Sequence, residues 1–169
     1  MTADTPLELR VVPVQGEGDL ASALAIREIV FIEEQSVPEA LERDADDARA
    51  FHLLVYDGKH AIGTGRLVML DTPPKSERGR WAQIGRMAVL ASWRSRGAGK
   101  ALMVALEEEA RKRKVDGIML HAQLHVREFY QAMGYHDASP IFDEAGIPHV
   151  EMRKLMWMMS RGDGGGEVF

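Results

Sequence analysis

Apolar positions along the chain follow two periods. Residues 7–14 alternate loosely, which predicts a first strand, and Pro13 places it at a sheet edge because proline has no N–H for a ladder. Leu20, Ala23, Leu24, Ile26, Arg27, Val30 and Phe31 then recur at helical spacing, with Asp19 positioned to cap the helix they form. That helix runs out over residues 33–37, and Pro38 stops it. Two apolar runs, residues 51–56 and 61–70, are joined through Asp57-Gly58, a strong hairpin signal. Residues 72–80 are polar with two prolines and read as a loop. Residues 84–89 are rich in strand formers. From Ala101 the pattern Ala101, Leu102, Ala105, Leu106, Ala110 marks a long amphipathic helix. A buried strand over residues 115–122 and a short helix over 126–133, stopped by Gly134, come next. Tyr135 opens a further strand, residues 143–148 form a turn around Gly146, and residues 149–156 make the last strand.

Strands alternating with helices around a central hairpin predict an α/β fold: a single mixed, mostly antiparallel sheet with helices on both faces. The crossover from residues 84–89 through the long helix to residues 118–122 should be parallel and right-handed. The chain has 169 residues, enough for one domain over residues 1–159. The Gly-rich residues 160–169 read as a disordered tail. A formal net charge of −5 without a basic stripe argues against nucleic acid as a partner. No apolar run is long enough to span a membrane, and no signal-peptide layout is visible. Cysteine is absent, which removes disulfides and thiolate chemistry and fits a cytoplasmic protein. His121 and His125 have the spacing of a helical metal pair, but one should lie on a strand and the other on a loop, so no metal site is expected.

The stretch carrying the chemistry is the loop Arg94, Ser95, Arg96, Gly97, Ala98, Gly99, Lys100 at the mouth of the long helix. Helix N-termini expose unpaired N–H groups and the positive end of the dipole, and glycines let an anion reach them. Gly99-Lys100 resembles the end of a Walker A loop, yet Arg94 and Ala101 stand where its glycine and hydroxyl residue belong. The dinucleotide pattern G-x-G-x-x-G fails at Leu102. What fits is R-x-x-G-x-G, Arg94 to Gly99.

This loop resembles the pyrophosphate loop of the GNAT superfamily of N-acetyltransferases. Phe129-Tyr130, three residues, then Gly134-Tyr135 is similar to another motif of that superfamily. The runs R-E-I-V-F-I-E-E-Q-S-V-P (residues 27–38) and D-E-A-G-I-P-H-V-E-M (residues 143–152) resemble its bacterial ElaA-like branch. The resemblance implies the GNAT acyl-CoA N-acyltransferase fold, with acetyl-CoA as cofactor and a small amine as acceptor. It further implies that the backbone of Met87, Ala88 and Val89 receives the pantetheine arm, that Arg94 to Lys100 wrap the pyrophosphate, and that Gln123 touches the cofactor arm. Tyr130 stands where many members place a tyrosine beside the thioester sulfur.

An amine with a pKa near 10.4 must shed a proton before it attacks, at a cost of roughly 4.6 kcal/mol at neutral pH. Histone-type members use a glutamate early on the central strand; Gln83 occupies that place here and can only orient a water. The base is therefore open: Glu33, Glu34, Glu42, Asp44 or an ordered water chain. The acidic residues 39–49 read either as a solvated loop or as a negative lip for a cationic amine, with Phe31, Glu34, Glu42, Asp44 and His149 as acceptor-side candidates. Met156, Met158 and Met159 could pack a homodimer contact. The rival reading is an acyl-CoA-binding regulatory module that kept the cleft and lost the chemistry.

Overall fold

The computed structural model describes residues 5–156. Eight strands form a mixed, mostly antiparallel sheet: β1 (Leu9–Pro13), β2 (Phe51–Asp57), β3 (His60–Met69), β4 (Trp81–Val89), β5 (Gly117–Gln123), β6 (His136–Asp137), β7 (Phe142–Glu144) and β8 (Ile147–Leu155). The helices are α1 (Gly16–Arg27), α2 (Glu39–Glu42), α3 (Ala98–Lys112) and α4 (Arg127–Ala132). The chain divides into two compact units. The first runs to Leu67 and resumes at Arg86–Glu108; the second takes Val68–Gly85 and continues from Glu109.

In the first unit β1 lies antiparallel to β2, with Val11 opposite Val55, and β2 lies antiparallel to β3, with Leu53 opposite Gly65. Pro13 falls on β1, as its missing N–H predicts. Ala23, Ile26, Val30, Leu54 and Ala88 are buried together, and Val12, Val14, Phe31, Tyr56, Ala61 and Leu90 pack against them. Each large apolar side chain so buried contributes about 1.5–3 kcal/mol against solvent exposure. The first helix departs from expectation at both ends. Asp19 does not cap it from outside; its carboxylate lies inside the first turns and accepts the Gln15 N–H at 2.9 Å. Beyond Arg27 the coil widens into a π-helix over Glu28–Glu34, which the α-periodic apolar stripe did not reveal.

In the second unit Trp81 to Ile84 of β4 run parallel to Gly117 to Leu120 of β5, as the crossover predicted. β5 pairs antiparallel with β8 from Gly117–Leu155 to Gln123–His149. β7 and β8 form a tight hairpin through Ala145 (φ 53°) and Gly146 (φ 82°), two left-handed residues as a type I′ turn requires. Met156 is buried at the end of β8, so it is not a surface for a second copy. Met158, Met159 and residues 160–169 lie outside the described residues. No helix among the described residues is long and apolar enough to cross a membrane.

Candidate functional site

The glycine-containing loop lies in the first unit. Helix α3 begins at Ala98, three residues earlier than the apolar pattern alone suggested, so Gly99 and Lys100 belong to its first turn. Ser95 (φ 61°) and Gly97 (φ 98°) both take left-handed backbone, bending the chain twice in three residues before the helix. Glycine adopts that region without strain, whereas Ser95 does so at a cost. Such a bent backbone, followed by the free N–H groups of a helix, makes a concave anion site. The side chains of the loop turn to other work. Arg94 donates from Nε to the Val89 carbonyl at 2.8 Å and from Nη2 to Glu34 Oε2 at 2.8 Å. Arg96 donates to the Thr5 carbonyl. The loop therefore offers backbone N–H groups, while its arginines fasten it to the preceding strand and to the end of the π-helix.

The acidic stretch is also in the first unit, and its carboxylates already have partners. Glu42 is 2% exposed and accepts from Arg27 Nε at 2.5 Å. Asp47 accepts from Arg27 Nη1 and Arg66 Nη1, each at 2.7 Å. Asp44 accepts from Arg66 at 2.7 Å and from Arg86 at 3.2 Å. Arg86 also donates from Nε to the Glu42 carbonyl at 2.9 Å. Three guanidiniums thus meet three carboxylates, and the local field is close to neutral. Glu42 is thus out of reach of a solute, which corrects its expected place on an acidic lip, while Asp44 stays partly exposed with its charge answered by Arg66 and Arg86. The Arg66 guanidinium holds the Asp44 carboxyl below its ordinary range. Burial pushes Asp47 up, but its bonds to Arg27 and its other partners prevail and hold it well below that range. Burial, then repulsion from Arg66, pulls the Arg86 guanidinium down. Arg86 sits in left-handed backbone (φ 52°) in the middle of β4, an irregularity that no sequence signal announced.

Tyr130, Gln83, Gln123 and His149 lie in the second unit. Tyr130 is on α4, and the F-Y-x-x-x-G-Y run that contains it is a helix terminator. Tyr135 N–H donates to the Tyr130 carbonyl at 3.1 Å and Gly134 N–H to the Gln131 carbonyl at 3.0 Å, with Gly134 at φ 96°. That is a Schellman motif, and the accompanying contact is between the rings of Tyr130 and Tyr135, 6.1 Å apart. Lys154 Nζ adds a bond to the Met133 carbonyl at 2.7 Å. The motif fixes the Tyr130 ring, which is 8% exposed, between Phe129 and Tyr135. Burial pushes the phenol up to about 12, so it keeps its proton throughout the neutral range.

Strand alternation sorts the rest of this unit. Register partners point to one side of a sheet, and so do residues two apart on a strand. Gln83 is opposite Met119, His121 opposite Glu151, and Gln123 opposite His149, so all six share one face. Ile118, Leu120 and Ala122 point the other way and are buried. On the polar face, His121 Nδ1 lies 3.0 Å from Glu144 Oε1 and its Nε2 lies 3.6 Å from Glu151 Oε1. His149 Nε2 is 3.4 Å from the other Glu144 oxygen, and its ring stacks on Phe142. The hydrogen bond to Glu144 raises the His121 imidazole above its ordinary value. Among the described residues no group of three His, Cys, Asp or Glu side chains is arranged to hold a metal ion.

Sequence reading missed Arg66 and Arg86, and it weighed His121 only as a metal ligand, not as a partner of Glu144 and Glu151. Arg27 did give a signal: it falls on the apolar stripe of α1, and a guanidinium on a buried face demands acids nearby.

Comparison with known proteins places this arrangement. A family model described as an acetyltransferase (GNAT) domain matches residues 20–156. Protein YyaT of Bacillus subtilis is 40% identical over 141 residues, covering 82% of this chain and 90% of YyaT. The N-acetyltransferase YjcF of Bacillus subtilis is 38% identical over 147 residues, covering 86% and 99%. The crystal structure of Escherichia coli ElaA superposes with a TM-score of 0.73 at 26% identity, over 88% of this chain and 99% of that one. With a family model over residues 20–156 and these relatives along nearly its whole length, the chain belongs to the GNAT family of acetyltransferases.

Proposed function

We propose that the protein transfers an acetyl group from acetyl-CoA to the primary amine of a small acceptor by direct attack on the thioester, with residues 1–159 acting as one domain. The observation that carries the reading is the loop Arg94 to Lys100, where two left-handed residues lead into the N-terminus of α3. Its N–H groups receive the pyrophosphate, and the backbone of Met87, Ala88 and Val89 receives the pantetheine arm. Gln123 contacts that arm. Tyr130 is the proton donor to the leaving sulfur. A phenol near 12 is a weaker acid than a thiol near 8.5 by about 5 kcal/mol. Tyr130 therefore acts first as a hydrogen-bond donor to the forming thiolate, and hands over its proton as burial makes that thiolate more basic. Gln83 orients a water, since an amide can donate and accept but cannot take the proton. Phe31, Glu34 and His149 are the side chains we assign to the acceptor.

The test is thiol release from acetyl-CoA in the presence of monoamines, polyamines, amino acids and peptides. Turnover with a primary amine, with acetyl recovered on its nitrogen, is the expected result. Tight CoA binding by calorimetry with no thiol release from any amine would replace this reading with the non-catalytic acyl-CoA-binding module.

A further inference from the structure

The reaction needs a base, and the polar face of the second unit contains a group built like one. His121 is on β5, two residues from Gln123 and on the same face as Gln83. Its side chain is 27% exposed, so a solute can reach it while the ring stays held. The holding comes from three directions. Glu144 on β7 meets Nδ1 at 3.0 Å, Glu151 on β8 lies 3.6 Å from Nε2, and the Phe142 ring packs edge-on at 5.1 Å. Behind these, His149 shares Glu144, and Arg153 Nη2 binds Glu151 at 2.5 Å.

The two ring nitrogens are not equivalent. A neutral imidazole has one N–H, and an ionised carboxylate can only accept. Only Nδ1 is at hydrogen-bond distance from a carboxylate oxygen, so the N–H goes to Glu144. In the neutral ring the Nε2 lone pair then faces the Glu151 carboxylate at 3.6 Å, which favours a proton on it. An ammonium N–H fits there: Nε2 accepts its proton, and Glu151 attracts its charge.

Resting on the acetyl-transfer reading, we infer that His121 is the general base for the acceptor amine, oriented by Glu144 and assisted by Glu151. The step is a proton transfer. The ammonium nitrogen loses one proton to Nε2 and regains its lone pair, and His121 becomes an imidazolium between two carboxylates. The freed amine attacks the thioester carbonyl carbon; the C–S bond breaks as the intermediate collapses, the thiolate leaves with the Tyr130 proton, and the second amine proton makes good the one Tyr130 gave. His121 returns its proton to bulk water through its exposed edge before the next turnover. The raised basicity of His121 suits this role, because a stronger base takes a proton from an alkylammonium at a smaller penalty. It also sets a price in pH: the base form is present only above the imidazole's own value.

The experiment follows kcat/KM for thiol release from acetyl-CoA against pH, for the wild type, His121→Asn and Glu144→Gln. Two probes are used: the fastest primary alkylamine of the panel, which is protonated at neutral pH, and methoxyamine, which is largely neutral there. His121→Asn is expected to lower kcat/KM for the alkylamine about 100-fold or more and to abolish the limb that rises with pH near the imidazole range. It should change methoxyamine turnover far less. Glu144→Gln should move the limb to lower pH, because the carboxylate that raises His121 is gone. An equal loss with both probes would make His121 structural, and an unmoved limb in both variants would overturn the assignment. If His121→Asn does not fold, the Glu144→Gln limb decides alone. A wild type that releases no thiol with any amine overturns the acetyl-transfer reading itself, whereas an active wild type with an unmoved limb overturns only the role of His121.

Discussion

Two charged clusters in this protein use similar carboxylates to opposite ends. In the first unit Glu42, Asp44 and Asp47 face Arg27, Arg66 and Arg86. In the second, Glu144 and Glu151 face His121 and His149, with Arg153 behind Glu151. The difference lies in the cation. A guanidinium is charged at every accessible pH and forks onto two carboxylate oxygens, so it can lock a loop in place. An imidazole changes charge near neutrality and keeps a lone pair when neutral, so it can exchange a proton. Burial follows the same division only at the extremes, since Asp44 is 36% exposed and Glu151 17%. Arg27 and Glu42 are 1% and 2% exposed, whereas Glu144 is 45% exposed. Glu42, Asp44 and Asp47, close together in sequence, are therefore held by arginines, and Glu144 on β7 is open to a solute.

The largest effect expected from breaking this contrast is on stability. Arg27→Met leaves Glu42 buried without its guanidinium, and losing one partner of a buried pair costs about 3–5 kcal/mol. Urea denaturation should show that loss, while Glu144→Gln should stay within about 1 kcal/mol of wild type. Equal effects would erase the distinction. The pH dependence has opposite signs in the two clusters. Asp44 and Asp47 are depressed in the folded state, so their contribution is present above their ordinary values and fades as the pH falls below about 4. His121 is raised, so its contribution is complete below about 6.5 and fades as the pH climbs through its folded value. Melting temperatures across that range, in wild type and His121→Asn, measure both limbs.

Next in size is an effect on rate alone. Tyr130→Phe keeps the ring that the Schellman motif clamps and removes the proton. We expect kcat to fall about 100-fold with CoA affinity unchanged, the signature of an interaction made in the transition state. Unchanged turnover with the best amine would reduce Tyr130 to a packing residue.

The smallest expected effect concerns attraction of the acceptor. Because Asp44 is answered by Arg66 and Arg86, Asp44→Asn should alter KM for a cationic amine by less than about twofold, at low and high salt alike. A large, salt-sensitive rise in KM would restore the acidic stretch as a lip for the substrate and would show that the arginines leave a net field.

Local chemistry was readable from the sequence. The stop at Gly134, the turn at Gly146 and the edge strand with Pro13 all depend on the backbone preferences of one or two residues, and each formed where those preferences put it, while the hairpin expected at Asp57-Gly58 turns one residue later, on Gly58-Lys59. The bend ahead of α3 was legible for the same reason, since glycine at 97 serves a left-handed position. The π-helix over Glu28–Glu34 was not, because an apolar stripe fixes which face is buried without fixing how the turn is wound. Partner choice was also beyond reach. Arg66 and Arg86 lie more than 20 residues from Asp44, and nothing local tells a carboxylate that awaits a substrate from one that awaits an arginine. The placing of His121 beside Glu144 and Glu151 needed the register of three strands, and register is settled by which side chains pack together once the chain has closed. The sequence by itself determined where the chain turns, which stretches pair and where the loop ahead of α3 bends; the tertiary structure decided which charges are spent on one another and which remain exposed.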